Sequence, residues 1–278
     1  MNIGIRLHDT APGTLEERLG FARVQGFTCA HIALSKTVDG FRMEDAPTLL
    51  NRELAEAFRG ALRRKEMECA VLGCYLNLAD PDAERRERTR GIYQAHLRFA
   101  AETGAAMVGT ETFANPESRF EAPAPESEEA YAFFLDCIRP VARYAEECGA
   151  ILAVEPVYYH IISTPERAER MLNDLNCDSV KIILDAVNLI SPEQAENTDA
   201  VVSDAIRRLG EQVRVLHMKD FTREGEQMNA SACGTGSMRY ERLLAFAKER
   251  KLPMTLENTV PENAERARLY LEKIGAAL

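Results

Sequence analysis

The chain has no C-x-x-C pair, no long uninterrupted apolar run and no excess of basic residues. Each absence removes a class of protein. The seven cysteines, at 29, 69, 74, 137, 148, 177 and 233, are scattered and odd in number. That pattern argues against a disulfide framework or a thiolate zinc cluster and fits reduced, packed thiols. No apolar run is long enough to span a bilayer. The first residues, MNIGIRLHDT, lack the charged start and apolar core of a signal peptide. A soluble, cytoplasmic protein is expected, with no membrane partner. Lys and Arg number 34 against 44 Asp and Glu, a formal net charge of −10, which argues against a general affinity for nucleic acid or an anionic surface. The turn after the first apolar run, HDTAPGTLEE, has no G-x-G-x-x-G, so a phosphate loop of the dinucleotide-binding type is missing.

What is present is a rhythm. In 278 residues, 46% hydrophobic and 28% charged, short apolar runs alternate eight times with longer amphipathic stretches. The runs lie at 2–9, 27–34, 68–78, 105–112, 150–157, 179–187, 212–220 and 253–259. They are rich in Val, Ile and Leu and do not alternate cleanly, as expected of parallel strands buried on both faces. Between them, Phe134, Ile138, Val141 and Ala145 fall on one helical face, as do Ile92, Ala95, Phe99 and Thr103. Pro140 is expected to kink the first of these helices. Gly26, Gly104 and Gly149 follow helical patterns and precede strands, as C-terminal caps do. Ser163 or Thr164, followed by Pro165 and Glu166, reads as a helix start. Eight strand–helix units in about 250 residues are the arithmetic of an α/β fold of the (β/α)8 TIM barrel type, a single domain over 1–278. Two longer connections, 113–129 and 221–240, fall after the fourth and seventh strands. They are expected at the rim, over the site.

The last four strands each end on a side chain able to ligate a metal: Glu155 in LAVEP, Asp185 in IILDA, His217 in VLHMKD and Glu257 in TLEN. They are 30, 32 and 40 residues apart, the first two intervals matching one strand–helix repeat. Taken singly, each reads as a rim carboxylate, an ion-pair partner of Lys219, Arg6 or Arg239, or a hydrogen-bonded core histidine. Together, three carboxylates converging on one mouth repel one another unless a cation compensates them, and this favours metal binding. Three oxygen donors and one imidazole suit a single divalent ion: Mn, Mg, Co or Zn, with iron admissible. An open catalytic ion fits better than a structural zinc, which would normally include thiolates.

The VEP, ILDAVN, LHMKDF and LEN strand ends, the GTG turn at 234–236 and GAAMVGTET at 104–112 make the chain resemble the xylose isomerase-like TIM barrels, in particular the sugar phosphate isomerase/epimerase family. The resemblance covers essentially the whole chain. It implies one divalent metal held by Glu155, Asp185, His217 and Glu257. It further implies that Glu155 and Glu257 form an acid/base pair acting from opposite faces of a small sugar, keto sugar or polyol through an enediolate. Barrels of this kind commonly associate, so a homo-oligomer is an admissible assembly. The sequence departs from many relatives at Asn188, where they carry a histidine that binds a substrate oxygen; an amide cannot carry a positive charge near pH 7. Other expected substrate-binding residues are His8, Asn77, Glu111 and Lys219, with Asp9 and His160 also near strand ends. His31 reads as packed against the barrel and His96 as a structural residue within a helix. The alternatives are a metal-dependent dehydratase of a keto-inositol and a barrel that binds a ligand without turnover. Endonuclease action at abasic DNA, in a related branch with a multi-zinc site, is disfavoured by only five histidines and the acidic charge.

Overall fold

The computed structural model describes residues 1–112, 123–225 and 227–278. Ten strands are found there: β1 (Ile3–Arg6), β2 (Cys29–Ile32), β3 (Glu68–Gly73), β4 (Val108–Glu111), β5 (Leu152–Glu155), β6 (Val180–Asp185), β7 (Val213–Met218), β8 (Asp220–Glu224), β9 (Gln227–Ser231) and β10 (Met254–Leu256). Eight of them close into a barrel in the order β1-β10-β7-β6-β5-β4-β3-β2. Every pairing in it is parallel, so the fold is a (β/α)8 TIM barrel. No described helix is long and apolar enough to cross a membrane.

The helices form where the apolar spacing places them. In Glu128–Cys148, residues Phe134, Ile138, Val141 and Ala145 are buried and Pro140 lies inside the helix. In Ala83–Thr103, Ile92, Ala95, Phe99 and Thr103 are buried. Gly104 and Gly149 cap these two helices in the left-handed conformation, at φ 78° and 66°. Thr164 is the N-cap of Pro165–Leu175, its hydroxyl accepting from the Arg167 N–H.

The apolar runs are longer than the strands they contain. After β1 the chain turns into a short 3-10 helix, Leu7–Asp9, and after β6 into the helix Ala186–Leu189. The connection after β7 holds the antiparallel hairpin β8–β9. Asp220 anchors that hairpin: its carboxylate accepts from the backbone N–H groups of Phe221, Gly234 and Met238 at 2.8–3.0 Å. Gly236 is fixed by the same packing, since a Cβ there would lie 2.1 Å from the Phe221 carbonyl oxygen. The connection expected over 113–129 lies outside the described residues for 113–122.

Most of the core fills the space between barrel and helices. A smaller cluster (Val71, Met107, Ala153, Ile183 and Val215) lies inside the barrel and forms an apolar floor. Because side chains alternate along a strand, the residues two positions beyond Ala153, Ile183 and Val215 also point inward, one layer nearer the mouth. They are Glu155, Asp185 and His217.

His96 illustrates the cost of a polar group in the outer core. It is fully buried in Ala83–Thr103, its Nδ1 lies 2.9 Å from the Ile92 carbonyl oxygen, and its ring meets Phe41 edge-on. Burial pushes its pKa down to about 4, with the Ile92 carbonyl opposing. The folded value is below the unfolded one, so this contribution is present above pH 6.5 and is lost as pH falls towards 4, about 3 kcal/mol in all. Urea unfolding at pH 7 and pH 4 should show that His96→Gln flattens the acid loss of stability by that order; an unchanged slope would disprove the assignment.

Candidate active site

The inward layer above the apolar floor carries the four residues that end β5, β6, β7 and β10. Glu155 and Asp185 are the last residues of their strands, His217 is the penultimate residue of β7, and Glu257 directly follows β10. Strand register holds Asp185 beside His217, and His217 beside Thr255, two residues before Glu257. All four side chains are buried. His217 Nδ1 lies 3.0 Å from Glu155 Oε2 and 3.3 Å from Glu257 Oε1. Lys219, two residues beyond His217, points the same way: its Nζ is 2.9 Å from Asp185 Oδ2 and 3.6 Å from Glu257 Oε2.

Burial penalises every charge here, and the neighbours decide which survive. Burial works against the His217 imidazolium, but Glu155 and Glu257 outweigh it and raise the pKa to about 9. Burial likewise works against Glu155 and Glu257. His217 nonetheless holds Glu155 below the usual carboxylate value, while His217, Lys219, His31 and Arg6 hold Glu257 well below it. Asp185 is raised to about 6 by burial, with Lys219 opposing. Burial and the nearby Glu155 raise Glu111 to about 8.

The donor set fits a divalent ion. Metal–ligand bonds near 2.1 Å place adjacent donors about 3 Å apart, the spacing from His217 Nδ1 to the two glutamates. Glu155, Asp185 and His217 each offer a ligand atom, all within 4.8 Å of one another, and so do His31, His217 and Glu257. His217 Nδ1 thus faces two carboxylates, while its buried Nε2 makes no hydrogen bond; a buried polar ring nitrogen left without a partner calls for an explanation, and a metal site supplies one.

The other residues named from sequence are distributed unevenly. His8 and Glu111 line a cavity of about 360 Å³ that opens onto Glu155 and Glu257. Asn188 Nδ2 donates to Glu155 Oε1 at 2.6 Å, and its backbone N–H donates to Asp185 Oδ1 at 3.0 Å. Asn77 is engaged locally, its Oδ1 accepting from the Ala79 N–H, and it does not line the cavity. Asp9 binds Arg6 and the Thr259 N–H. His160 is buried 3.8 Å from Glu111 Oε2. Arg239, a candidate cation for the carboxylates, instead pairs with Asp199 on the surface.

His31 has a larger place than its sequence reading gave it. Its ring stacks on His217 at 5.0 Å, and its Nδ1 lies 3.4 Å from Glu257 Oε1. Tyr75, which the motifs did not single out, also lines the cavity, its buried hydroxyl without a hydrogen bond. A polar residue within an otherwise apolar run, as in CAHI, was the available signal for His31.

Lys219 gives the network its sharpest test. Removing one member of a buried charge cluster leaves the others uncompensated. Lys219→Met should therefore destabilise the metal-free protein by about 3–5 kcal/mol, and added Mn2+ should recover part of the loss. Denaturant unfolding with and without the ion checks both; a neutral substitution would show that Lys219 does not compensate Asp185.

Among curated proteins none matches the sequence significantly. Solved structures do match in fold. A xylose isomerase-like TIM barrel protein from Mycobacterium smegmatis, in complex with magnesium, is 17% identical with a TM-score of 0.72, over 100% of this chain and 97% of that one. The 3-keto-D-glucoside 4-epimerase from E. coli is 16% identical with a TM-score of 0.75, over 98% and 99%. The D-psicose 3-epimerase from Clostridium cellulolyticum H10, solved with D-tagatose, is 15% identical with a TM-score of 0.72, over 99% of each chain. At these identities the likeness is one of fold. Sequence adds the family: residues 18–274 match the xylose isomerase-like TIM barrels, and it is to that family that this chain belongs.

Proposed function

We propose that the chain is a divalent-metal-dependent isomerase or epimerase of a small sugar, keto sugar or polyol, working through an enediolate. The observation that carries this reading is the position of His217 Nδ1 between Glu155 and Glu257, at 3.0 and 3.3 Å. The neighbouring folds named as epimerases of D-psicose and of a 3-keto-D-glucoside support it.

Glu155, Asp185, His217 and Glu257 would hold the ion. When bound, it would polarise a substrate carbonyl and acidify the adjacent C–H. The two glutamates would do the proton work. One carboxylate takes the proton from the carbon next to the carbonyl, leaving the enediolate. Return of a proton to the same carbon from the opposite face, by the other glutamate, gives the epimer. Return to the neighbouring carbon gives the aldose–ketose isomer. Asn188 fixes the rotamer of Glu155 through its amide N–H, and Arg6 and Lys219 fix that of Glu257.

One observation favours a second reading, loss of water from a keto-inositol through the same enediolate. Glu111, in the cavity wall, is raised to about 8 by burial and the nearby Glu155, the direction required of an acid that protonates a leaving hydroxyl.

Metal content, substrate order and solvent exchange test the proposal. Asp185→Ala should bring bound metal, assayed by elemental analysis after dialysis against Mn2+, below about a tenth of wild type, since losing even an outer-shell partner costs about tenfold or more in affinity. Asn188→His should keep the metal and change the order of preferred substrates. Mn2+-loaded protein in D2O should place deuterium next to the carbonyl of at least one member of a ketose and inosose panel. Glu155→Gln and Glu257→Gln should each slow that exchange by about 10²-fold or more. No exchange into any member sinks the proposal, and loss of 18 mass units from the product selects the dehydratase.

A further inference from the structure

The cavity is chemically divided. At its inner end stand the carboxylates of Glu155, Glu257 and Glu111; on the side built by the end of β1 and the chain after β1 and β2 stand Arg6, His8, Ser35 and Lys36. Arg6 is committed, to Asp9 at 3.0 Å and to Glu257 at 3.4 Å. The rest of that wall is not. His8 Nδ1 is buried without a hydrogen bond. Lys36, exposed at the rim, makes no ion pair with any described residue, although it lies near enough to His8, with Arg6 and His31, to help burial lower that imidazole to about 4. At physiological pH the wall therefore offers the Lys36 ammonium, which pairs with no described residue, and two neutral hydrogen-bonding groups, His8 and Ser35.

We propose that this wall binds a carboxylate on the substrate, so that the preferred substrate is a sugar acid whose carbonyl end reaches Glu155 and Glu257 while its carboxylate rests on His8, Ser35 and Lys36. The inference rests on the isomerase or epimerase reading and names the substrate class within it. The charge count favours a carboxylate over a phosphate. A phosphate monoester carries close to two negative charges and is best met by a free guanidinium fork. The one guanidinium in this wall is already paired, and Lys36 alone balances a monoanion. The volume, about 360 Å³, is at the small end of ligand pockets and suits a single monosaccharide-sized molecule.

The test is equilibrium binding, by isothermal titration, of three probes with the same six-carbon backbone: D-gluconate, D-glucitol and D-glucitol 6-phosphate. Gluconate should bind tighter than glucitol by about fivefold or more and tighter than the phosphate. Lys36→Gln should collapse that ratio towards one, and Lys36→Arg should keep most of it. Gluconate and glucitol binding alike, gluconate failing to bind, or the phosphate binding tightest would each overturn the proposal. So would a gluconate preference that survives in Lys36→Gln, since that is the result expected if the carboxylate merely chelates a metal. Binding requires no turnover, so the two ideas fail separately. Solvent exchange into a neutral ketose with no carboxylate preference would leave the isomerase reading standing and remove this one.

Discussion

A carboxylate that cannot leave the protein interior governs the architecture of the mouth. Glu257 follows the shortest barrel strand and is almost wholly buried. It is approached by Arg6, His31, His217 and Lys219 at 3.3–3.6 Å. A buried charge of this kind is tolerated only when its partners are held in place, and here the barrel holds them. Arg6 comes from β1, His31 from β2, and His217 and Lys219 from the end of β7. Residues 6 and 257 meet only because β10 closes the sheet between β7 and β1. The closing seam and the chemistry are thus the same set of contacts: a barrel that failed to close would strand a carboxylate, and a missing cation would strain the closure.

The two glutamates that flank His217 are not equivalent. Glu257 is surrounded by cationic and imidazole groups. Among the described residues, Glu155 has His217 and the Asn188 amide as close partners. The difference follows from local chain geometry. Asp185 ends β6 and is at once the N-cap of Ala186–Leu189, its Oδ1 taken by the Asn188 N–H while Oδ2 faces Lys219. That single turn of helix swings the Asn188 side chain back over Glu155. Asn188 therefore acts first on a carboxylate, orienting it, and only through that carboxylate on whatever the site binds. Its neutrality matters in this position, because an imidazolium there would add a further positive charge to a cluster in which Lys219, Arg6 and His217 already face three carboxylates.

Much of this was legible in the sequence. Eight apolar runs, glycine caps and a metal-competent side chain at each of four strand ends are local signals, and strand alternation puts Glu155, Asp185 and His217 on the inside once the barrel is granted. What escaped depends on relations between distant segments. His31 sits in an apolar run and reads as core until β2 is seen to place its ring on His217. Tyr75 comes after its strand and enters the cavity only through the path of the connection. The left-handed helix ends at Glu66, Asn176 and Lys251 carry no glycine to announce them. The hairpin after β7 was hidden for a different reason. The outer residues of β8 and most of β9 are polar, so no apolar alternation marked it; its anchor is Asp220, which reads from sequence as one more charge at a strand end.

The division of the cavity separates two energetic regimes. The groups proposed to hold the ion and move protons lie at the ends of β5, β6, β7 and β10, over an apolar floor to which β5, β6 and β7 contribute Ala153, Ile183 and Val215. His8, Ser35 and Lys36 lie after β1 and β2, on short segments (Leu7–Asp9 and Leu34–Thr37) joined to the charge cluster through Arg6. Substitution at Ser35 or Lys36 changes what the rim offers without uncovering a buried charge, whereas substitution at Lys219 or Asp185 does uncover one. The energetic penalty is thus steep on one side of the mouth and shallow on the other. Physical chemistry alone would let binding preference drift on the first two strands while the proton-handling half stays fixed, with Arg6, paired to Asp9 on one side and Glu257 on the other, as the hinge between the two halves.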